Sequence, residues 1–423
     1  MDAASPAGSV RRPMVLVIRP AEPAEFAAVA DLCVAAYAPF VDADTDGYAD
    51  VLRDVAGRAA VAEVLVAEEG GELLGTITFV PDGGALGEIA EADETEFRML
   101  AVAPAGQGRG VGTALLRHVL DETVRRGRTG IVCSSQPAMR AAHRVYERLG
   151  FRRLPERDWS PVPGVDLIAF AWTALPDHAR RNQASWDVEA EHYVEPARRS
   201  WAASEIAWGT WDVPETEVGV LPPVDGLDVV ELGCGTAYVS AWLARRGARP
   251  VGVDLSARQL ETARAMQAEH GLAFPLHHGS AEDVPLPDAS FDLAISEYGA
   301  SLWCDPDAWI AEAARLLRPG GVLVFLTNSL IATLCSPDDG PAVERLVRDQ
   351  RGLRAVTYPD DDAVEFHLAH GEWIATLGRH GFAVEALHEL YAPPGADPER
   401  FKWVTPEWAR RWPHEEVWRA RKA

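Results

Sequence analysis

Two short glycine-rich stretches are built to bring a ligand against bare backbone. The first is Gln107-Gly108-Arg109-Gly110-Val111-Gly112. Its alternate glycines remove side chains where a ligand would meet peptide N–H groups, and an amphipathic run follows at once. The positive end of a helix placed there favours a phosphate. No Gly-Lys-Ser/Thr follows, which excludes a Walker loop, and G-x-G-x-G is not a dinucleotide fingerprint. The second stretch is Glu231-Leu232-Gly233-Cys234-Gly235. Gly233 and Gly235 fit the start of G-x-G-x-x-G, but Tyr238 stands at the third position. Asp254 closes the next apolar run, where a carboxylate accepts hydrogen bonds from both hydroxyls of a ribose. One stretch therefore suits a phosphate and the other a nucleoside.

The surrounding pattern says which elements hold these stretches. Residues 14–18 read as a strand, and 22–37 as a helix with Phe26, Val29, Leu32, Cys33 and Ala36 on one face. A weaker helix is expected over 46–60. Strands over 64–68 and 73–80 flank a Glu-Gly-Gly-Glu hairpin signal. Strand 96–102 enters the first glycine stretch and a helix over 110–126 leaves it. Strand 131–134, helix 140–149 ended by Gly150, and apolar runs around Phe151 and over 165–172 complete an α+β unit. From Asp228 the pattern changes to strands at 229–232, 250–253, 274–277, 293–296 and 322–327, with helices including 238–246 and 257–270 between them. That alternation predicts an α/β, mostly parallel, doubly wound sheet. A mixed segment over 329–359, a helix over 372–380 and a strand over 382–391 follow. The expected division is a tail over 1–13, domains over 14–174 and 184–423, and a polar linker over 175–183.

In this setting residues 107–112 resemble the pyrophosphate loop of the GNAT N-acetyltransferases. Ala141-Ala142-His143-Arg144-Val145-Tyr146-Glu147-Arg148-Leu149-Gly150-Phe151 resembles that family's later helix and turn, and the resemblance spans 14–174. It implies a GNAT-like mixed sheet with helices, and acetyl-CoA as cofactor. The pantetheine arm would run along Leu100, Ala101 and Val102. Gln107, Gly108, Arg109, Gly110, Val111, Gly112 and Thr113 would hold the pyrophosphate. Tyr146 would protonate the departing thiolate, with aromatic packing on the sheet as its other role. Met139 departs from the family, which often has Asn seven residues before the tyrosine. An ammonium acceptor must lose a proton. Glu96 is the candidate base, placed by strand alternation on one face with Arg98 and Leu100. Glu94, Asp93, a water relay, or no role at all for this acidic stretch are the alternatives.

The second pattern resembles the class I S-adenosylmethionine (SAM)-dependent methyltransferases, with a Rossmann-like fold, over residues 182–330. Motifs occur in order: Glu231 to Gly235, Asp254, then Gly279-Ser280-Ala281-Glu282-Asp283, Phe291-Asp292-Leu293-Ala294-Ile295 and Leu317-Arg318-Pro319-Gly320-Gly321. The resemblance implies that Glu231, Gly233, Cys234 and Gly235 hold the methionine part and that Asp254 and Leu255 take the ribose. Ala281, Glu282 and Asp283 would line the adenine, since Ser280 stands where the family commonly has Asp, and Ser296 would complete the set. Glu297 and Tyr298 follow at the carboxyl end of a strand, where open sheets bind ligands, and are candidates for the acceptor side. His367 and His370 are three residues apart and are candidate base and substrate contact, or an ordinary solvated loop. They lack a third partner for a metal site, so no metal is expected. Trp186 and Tyr193 either cover the SAM site or belong to a structural helix. No Asn/Asp-Pro-Pro-Tyr motif is present, which disfavours nucleic-acid amino groups as acceptors.

The 423-residue chain has a formal net charge of −24, which disfavours nucleic acid and anionic membrane surfaces as partners. Five scattered cysteines without a CxxC pair suit a reducing, cytoplasmic setting. The leading expectation is a bifunctional transferase that acetylates and methylates small-molecule acceptors, including an amine, with a homodimer left open. A methyltransferase with a non-catalytic, acetyl-CoA-sensing domain and a protein-modifying enzyme are the alternatives.

Overall fold

A computed structural model describes residues 16–40, 47–359 and 361–423. The chain divides into two compact units, Met1–Leu175 and Pro176–Ala423.

In the first unit the strand order is Val17–Pro20, Glu63–Glu69, Glu72–Val80, Glu94–Val102, Gly130–Ser135, Val165–Thr173, Arg152–Arg153. Of the strand expected at 14–18, Met14 and Val15 lie outside the described residues. Among these described strands only Glu94–Val102 and Gly130–Ser135 run parallel. They pair from Glu94 with Gly130 to Glu96 with Val132, and then part.

Alternation sorts the side chains of this sheet onto two faces. Leu65, Ile77, Phe79 and Phe97 pack against Val111, Leu115 and Val119 of the helix Val111–Arg125. Val64, Val66 and Ala101 pack against Val29 and Cys33 of the helix Phe26–Tyr37. Met99 breaks the pattern. It has φ 54°, and together with Leu100 it opposes the single residue Ile77, a β-bulge. Met99 stays with Ala101 on the Val29 side while Leu100 joins the Val111 side. Leu100 is thereby turned to the face opposite Glu96 and Arg98, which corrects the uninterrupted alternation expected from sequence. The helix expected over 46–60 is two, Tyr48–Arg53 and Val55–Val61, divided at Asp54, whose side chain caps the second by accepting the Gly57 N–H at 2.9 Å.

In the second unit the order is Leu276–His278, Arg249–Asp254, Asp228–Leu232, Phe291–Glu297, Leu317–Asn328, Glu415–Lys422, Phe382–Leu390. The first five strands are parallel, and Glu415–Lys422 is antiparallel to both neighbours. The order reverses between Asp228–Leu232 and Phe291–Glu297, so the carboxyl ends of these two strands bound the ligand crevice of a doubly wound sheet. One face buries Trp309, Phe325, Trp373 and Trp418, each at most 2% exposed. The other packs Val229, Ile295 and Val417 against Val239, Trp242 and Leu243 of the helix Tyr238–Ala244. The stretch 175–183 is no open linker. The helix Asp177–Glu189 begins inside it, and buried Asn182 ties that helix to the Val364 N–H at 2.6 Å and the Trp303 carbonyl at 2.8 Å.

Candidate functional site

In the first unit, Gly108 and Gly110 take φ of 71° and 83°, and a Cβ on either would meet nothing within 4 Å. The turn thus bares its backbone beside the first N–H groups of Val111–Arg125, which lack partners within their own helix. Gln107 and Arg109 are exposed, and Arg109 reaches Glu69 at 2.5 Å. Val111 points into the core, while Gly112 and Thr113 are half-buried. Leu100, Ala101 and Val102 lie where their strand has left Gly130–Ser135, so that edge offers peptide groups to an extended ligand arm. This cradle fits the phosphates and arm of CoA.

Glu96, at the closed end of the parting, and Tyr146, which packs on Phe97, lie on opposite faces of this sheet. Tyr146 is 4% exposed, its ring 5.7 Å from Phe97 and 5.4 Å from Phe170. Burial holds the phenol well above its ordinary pKa, so it keeps its proton. Aromatic packing on the sheet thus leaves the hydroxyl protonated. Glu96 is fully buried. Its Oε2 accepts the N–H groups of Glu88, Ile89 and Ala90 at 2.8, 3.0 and 3.2 Å, while Oε1 has no partner. The competing acids are engaged elsewhere: Glu94 with Arg157 and Asp93 with Thr129. Two nearby residues escaped the sequence reading. His143 holds Ser135 Oγ at 3.0 Å and packs its ring against Phe170 at 4.9 Å, and buried Cys133 lies beside Tyr146 in the same core. Met139, at the Asn position, caps the helix Arg140–Arg148 without a side-chain bond.

In the second unit the two glycines differ in kind. A Cβ on Gly233 would lie 2.6 Å from Gly299 Cα and from Ala300 N, whereas one on Gly235 would meet nothing within 4 Å. The Gly235 N–H donates to Asp254 Oδ2 at 2.7 Å and the Ser256 N–H to Oδ1 at 2.8 Å. Asp254 thus fixes the loop and keeps a lone pair on each oxygen for a ribose. Cys234 buries its thiol in the core, so only its backbone belongs to the site. The Leu255 carbonyl accepts Gln183 at 3.0 Å, which draws the helix Asp177–Glu189 over the strand end, and Trp186 packs there between Tyr193 and Trp303. Glu231 is 2% exposed and accepts the Ser240 N–H at 2.9 Å. Burial pushes it up to about 8 against the opposing bonds from Ser240. Bare backbone at Gly235, a ribose-side carboxylate and a buried Glu231 fit the nucleoside and ammonium ends of SAM.

Two assignments on the adenine side change. Glu282 turns into the fold, where Oε1 accepts the Asp305 N–H at 2.6 Å and contacts His178 Nε2 at 2.7 Å. Ala281 is buried beside it and Asp283 is at the surface. Ser296 is fully buried; its Oγ donates to the Leu232 carbonyl at 2.9 Å and accepts the Ser301 N–H at 3.1 Å. Strand alternation puts its side chain on the face opposite Glu297, so it pins two strand ends and does not reach a ligand on that face.

On the acceptor side, Glu297 is half-buried and accepts the Tyr238 hydroxyl and the Gly209 N–H. Burial pushes it up to about 7. Tyr298, at φ 53°, donates to Glu415 Oε1 at 2.6 Å, which also accepts the Thr210 N–H at 2.6 Å. Glu415 is fully buried and likewise pushed up to about 7. Glu231, Glu297 and Glu415 thus mark one face of the sheet. The histidines are not brought to them. His367 is 5% exposed and held by Thr333 at 3.1 Å and Glu365 at 2.8 Å. His370 holds Glu416 at 2.7 Å, and Glu416 points to the face opposite its neighbour Glu415. Both histidines are therefore structural and not bases for the acceptor. Tyr238, which in the sequence is only a missing glycine, is a contact of the site.

Fold and sites thus define two group-transfer domains in one chain. Residues 29–151 match the family model described as acetyltransferase (GNAT) family, and residues 230–325 match that described as methyltransferase domain. The chain is a fusion of an N-terminal GNAT acetyltransferase domain and a C-terminal SAM-dependent methyltransferase domain. It is similar to a malonyl-[acyl-carrier protein] O-methyltransferase of Serratia marcescens, 39% identical over 27% of this chain and 44% of that protein. A ubiquinone biosynthesis O-methyltransferase of Cereibacter sphaeroides is 29% identical over 32% and 53%. The chain spans about half the length of the curated relatives it matches. A SAM-dependent methyltransferase structure from Mesorhizobium loti aligns with TM-score 0.41 and 28% identity, covering 49% of this chain and 96% of that one.

Proposed function

We propose that the protein is a bifunctional cytoplasmic enzyme that transfers acetyl groups from acetyl-CoA and methyl groups from SAM to small-molecule acceptors. The observation that carries this is the chemical contrast between the two glycine turns. One bares backbone donors at a helix start and holds no acid. The other is locked to Asp254 by the Gly235 N–H at 2.7 Å. Bound SAM supplies an electrophilic methyl group, and the surrounding residues supply position and proton acceptance. Glu297 stands at the strand end to take a proton from the acceptor. In the first unit Glu96 takes the proton of an ammonium acceptor, and Tyr146 gives one to the leaving sulfur. The cytoplasmic setting is supported by cysteines that are all free thiols.

Calorimetric titration with SAM and with acetyl-CoA tests each half separately. Asp254→Ala is expected to weaken SAM by at least about tenfold, since it removes charge-assisted bonds to the ribose. Tyr146→Phe is expected to lower acetyl transfer to an amine panel by about 10² with acetyl-CoA affinity unchanged. Normal SAM binding by the first variant, or normal turnover by the second, would remove the corresponding assignment.

A further inference from the structure

The face of the N-terminal sheet that carries Glu96 holds a second buried charge. Arg58, on the helix Val55–Val61, is 3% exposed. Its guanidinium contacts Thr78 Oγ1 at 3.3 Å, Met99 Sδ at 2.6 Å, Cys33 Sγ at 3.9 Å and the Leu52 carbonyl at 3.1 Å. None of these is a carboxylate, two are weak sulfur acceptors, and Nε has no partner. Glu96 is the opposite case. It is fully buried, it draws only backbone N–H groups to Oε2, and Oε1 has no partner. The other charged pair on this face, Arg98 and Glu88, is already matched at 2.7 Å.

Among the described residues, Arg58 and Glu96 are therefore the buried charged side chains of this face that meet no opposite charge. Thr78, which touches Arg58, pairs across the sheet with Arg98, two residues from Glu96. Positions two apart on one face of a strand are about 7 Å apart. The two charges flank the stretch where Glu94–Val102 leaves its parallel neighbour. Glu96 stands at the last paired position, and Met99, beneath Arg58, forms the bulge. Burying an ion without a counter-charge is strongly unfavourable, and a ligand that brings both counter-charges relieves both at once.

We propose that the acceptor of the N-terminal domain is an amine with a carboxylate close to its amino group, an amino-acid-like zwitterion whose carboxylate meets Arg58 and whose ammonium meets Glu96. This rests on the acetyltransferase reading above. Of the two charges, Arg58 selects the substrate and Glu96 receives its proton.

The test uses the full chain, saturated with CoA so that no reaction intervenes. Calorimetry compares the common α-amino acids with their carboxamides and their decarboxylated amines. At least one amino acid is expected to bind tenfold or more tighter than its own amide. Arg58→Gln is expected to erase that preference while CoA affinity stays the same. The wild-type comparison decides the matter even if the variant fails to fold. Equal or tighter binding of carboxylate-free amines, or binding of no amino acid by a chain that holds CoA, overturns the proposal and leaves the acetyltransferase reading standing. Failure to bind either CoA or acetyl-CoA overturns both.

Discussion

The Tyr238 hydroxyl donates to Glu297 and so joins the helix that follows the SAM loop to the acceptor end of Phe291–Glu297. The bond favours the carboxylate form and opposes the effect of burial on Glu297. Tyr238→Phe removes that support and raises the Glu297 pKa above about 7. The acidic limb of the kcat/KM profile for methyl transfer is then expected to move to higher pH, with SAM affinity little changed. An unmoved limb would separate Glu297 from proton transfer.

Gly233 and Gly235 respond differently to one added methyl group. Gly233→Ala drives Cβ into the backbone of Gly299 and Ala300, and a loss above about 3 kcal/mol is expected. Gly235→Ala meets open space at φ 50°, so the fold loses only about 1–2 kcal/mol from the left-handed backbone. SAM binding is nonetheless expected to fail, because the methyl group occupies ligand space. Melting curves and SAM titration of both variants give the comparison.

Glu415 makes stability depend on pH. Its pKa rises from 4.5 to about 7 on folding. The folded state therefore holds the proton more tightly, so the associated stability is full below about pH 4.5 and is lost as pH rises through about 7. The limit is about 3 kcal/mol for a group this deeply buried. Glu415→Gln does not titrate. The melting temperature of wild type relative to Glu415→Gln is expected to fall between about pH 4.5 and about pH 7, the interval spanned by the two pKa values, and to level off above it. A flat difference would mean that burial does not perturb this carboxyl.

His370→Ala leaves buried Glu416 without its imidazole partner. A loss of about 1–3 kcal/mol is expected in denaturant unfolding, while methyl transfer per folded molecule stays the same. A fall in turnover at equal folded fraction would return this histidine to the acceptor site.

Both glycine loops, Asp254 and the succession of the five parallel strands along the chain were legible because they follow from local period and spacing. Three features were not, each for a different reason. The bulge at Met99 needs φ 54° from a residue whose side chain gives no such signal, and it turns Leu100 to the other face. Ser296 and Glu282 have the right types in the right motifs, but alternation and the bond from Asp305 N turn their side chains away. The strand Glu415–Lys422 carries two glutamates, two arginines and a lysine, a composition that reads as exposed. Its burial comes from partners far off in sequence: Thr210, Tyr298 and His370 for the acids, and Glu385 for the arginines.

The position of that strand bears on the order in which the sheet can assemble. Glu415–Lys422 lies between Leu317–Asn328 and Phe382–Leu390 and bonds to both. Without it, Phe382–Leu390 has no strand to pair with in this sheet. The sheet is thus completed by a strand far along the chain that is inserted one place in from its edge, a topology with costly loop closure. Glu415 travels with that piece, so the acidic row is completed only when the sheet is. Pulse-labelled hydrogen exchange should find protection of Phe382–Leu390 and Glu415–Lys422 appearing together, after that of Asp228–Leu232 and Arg249–Asp254.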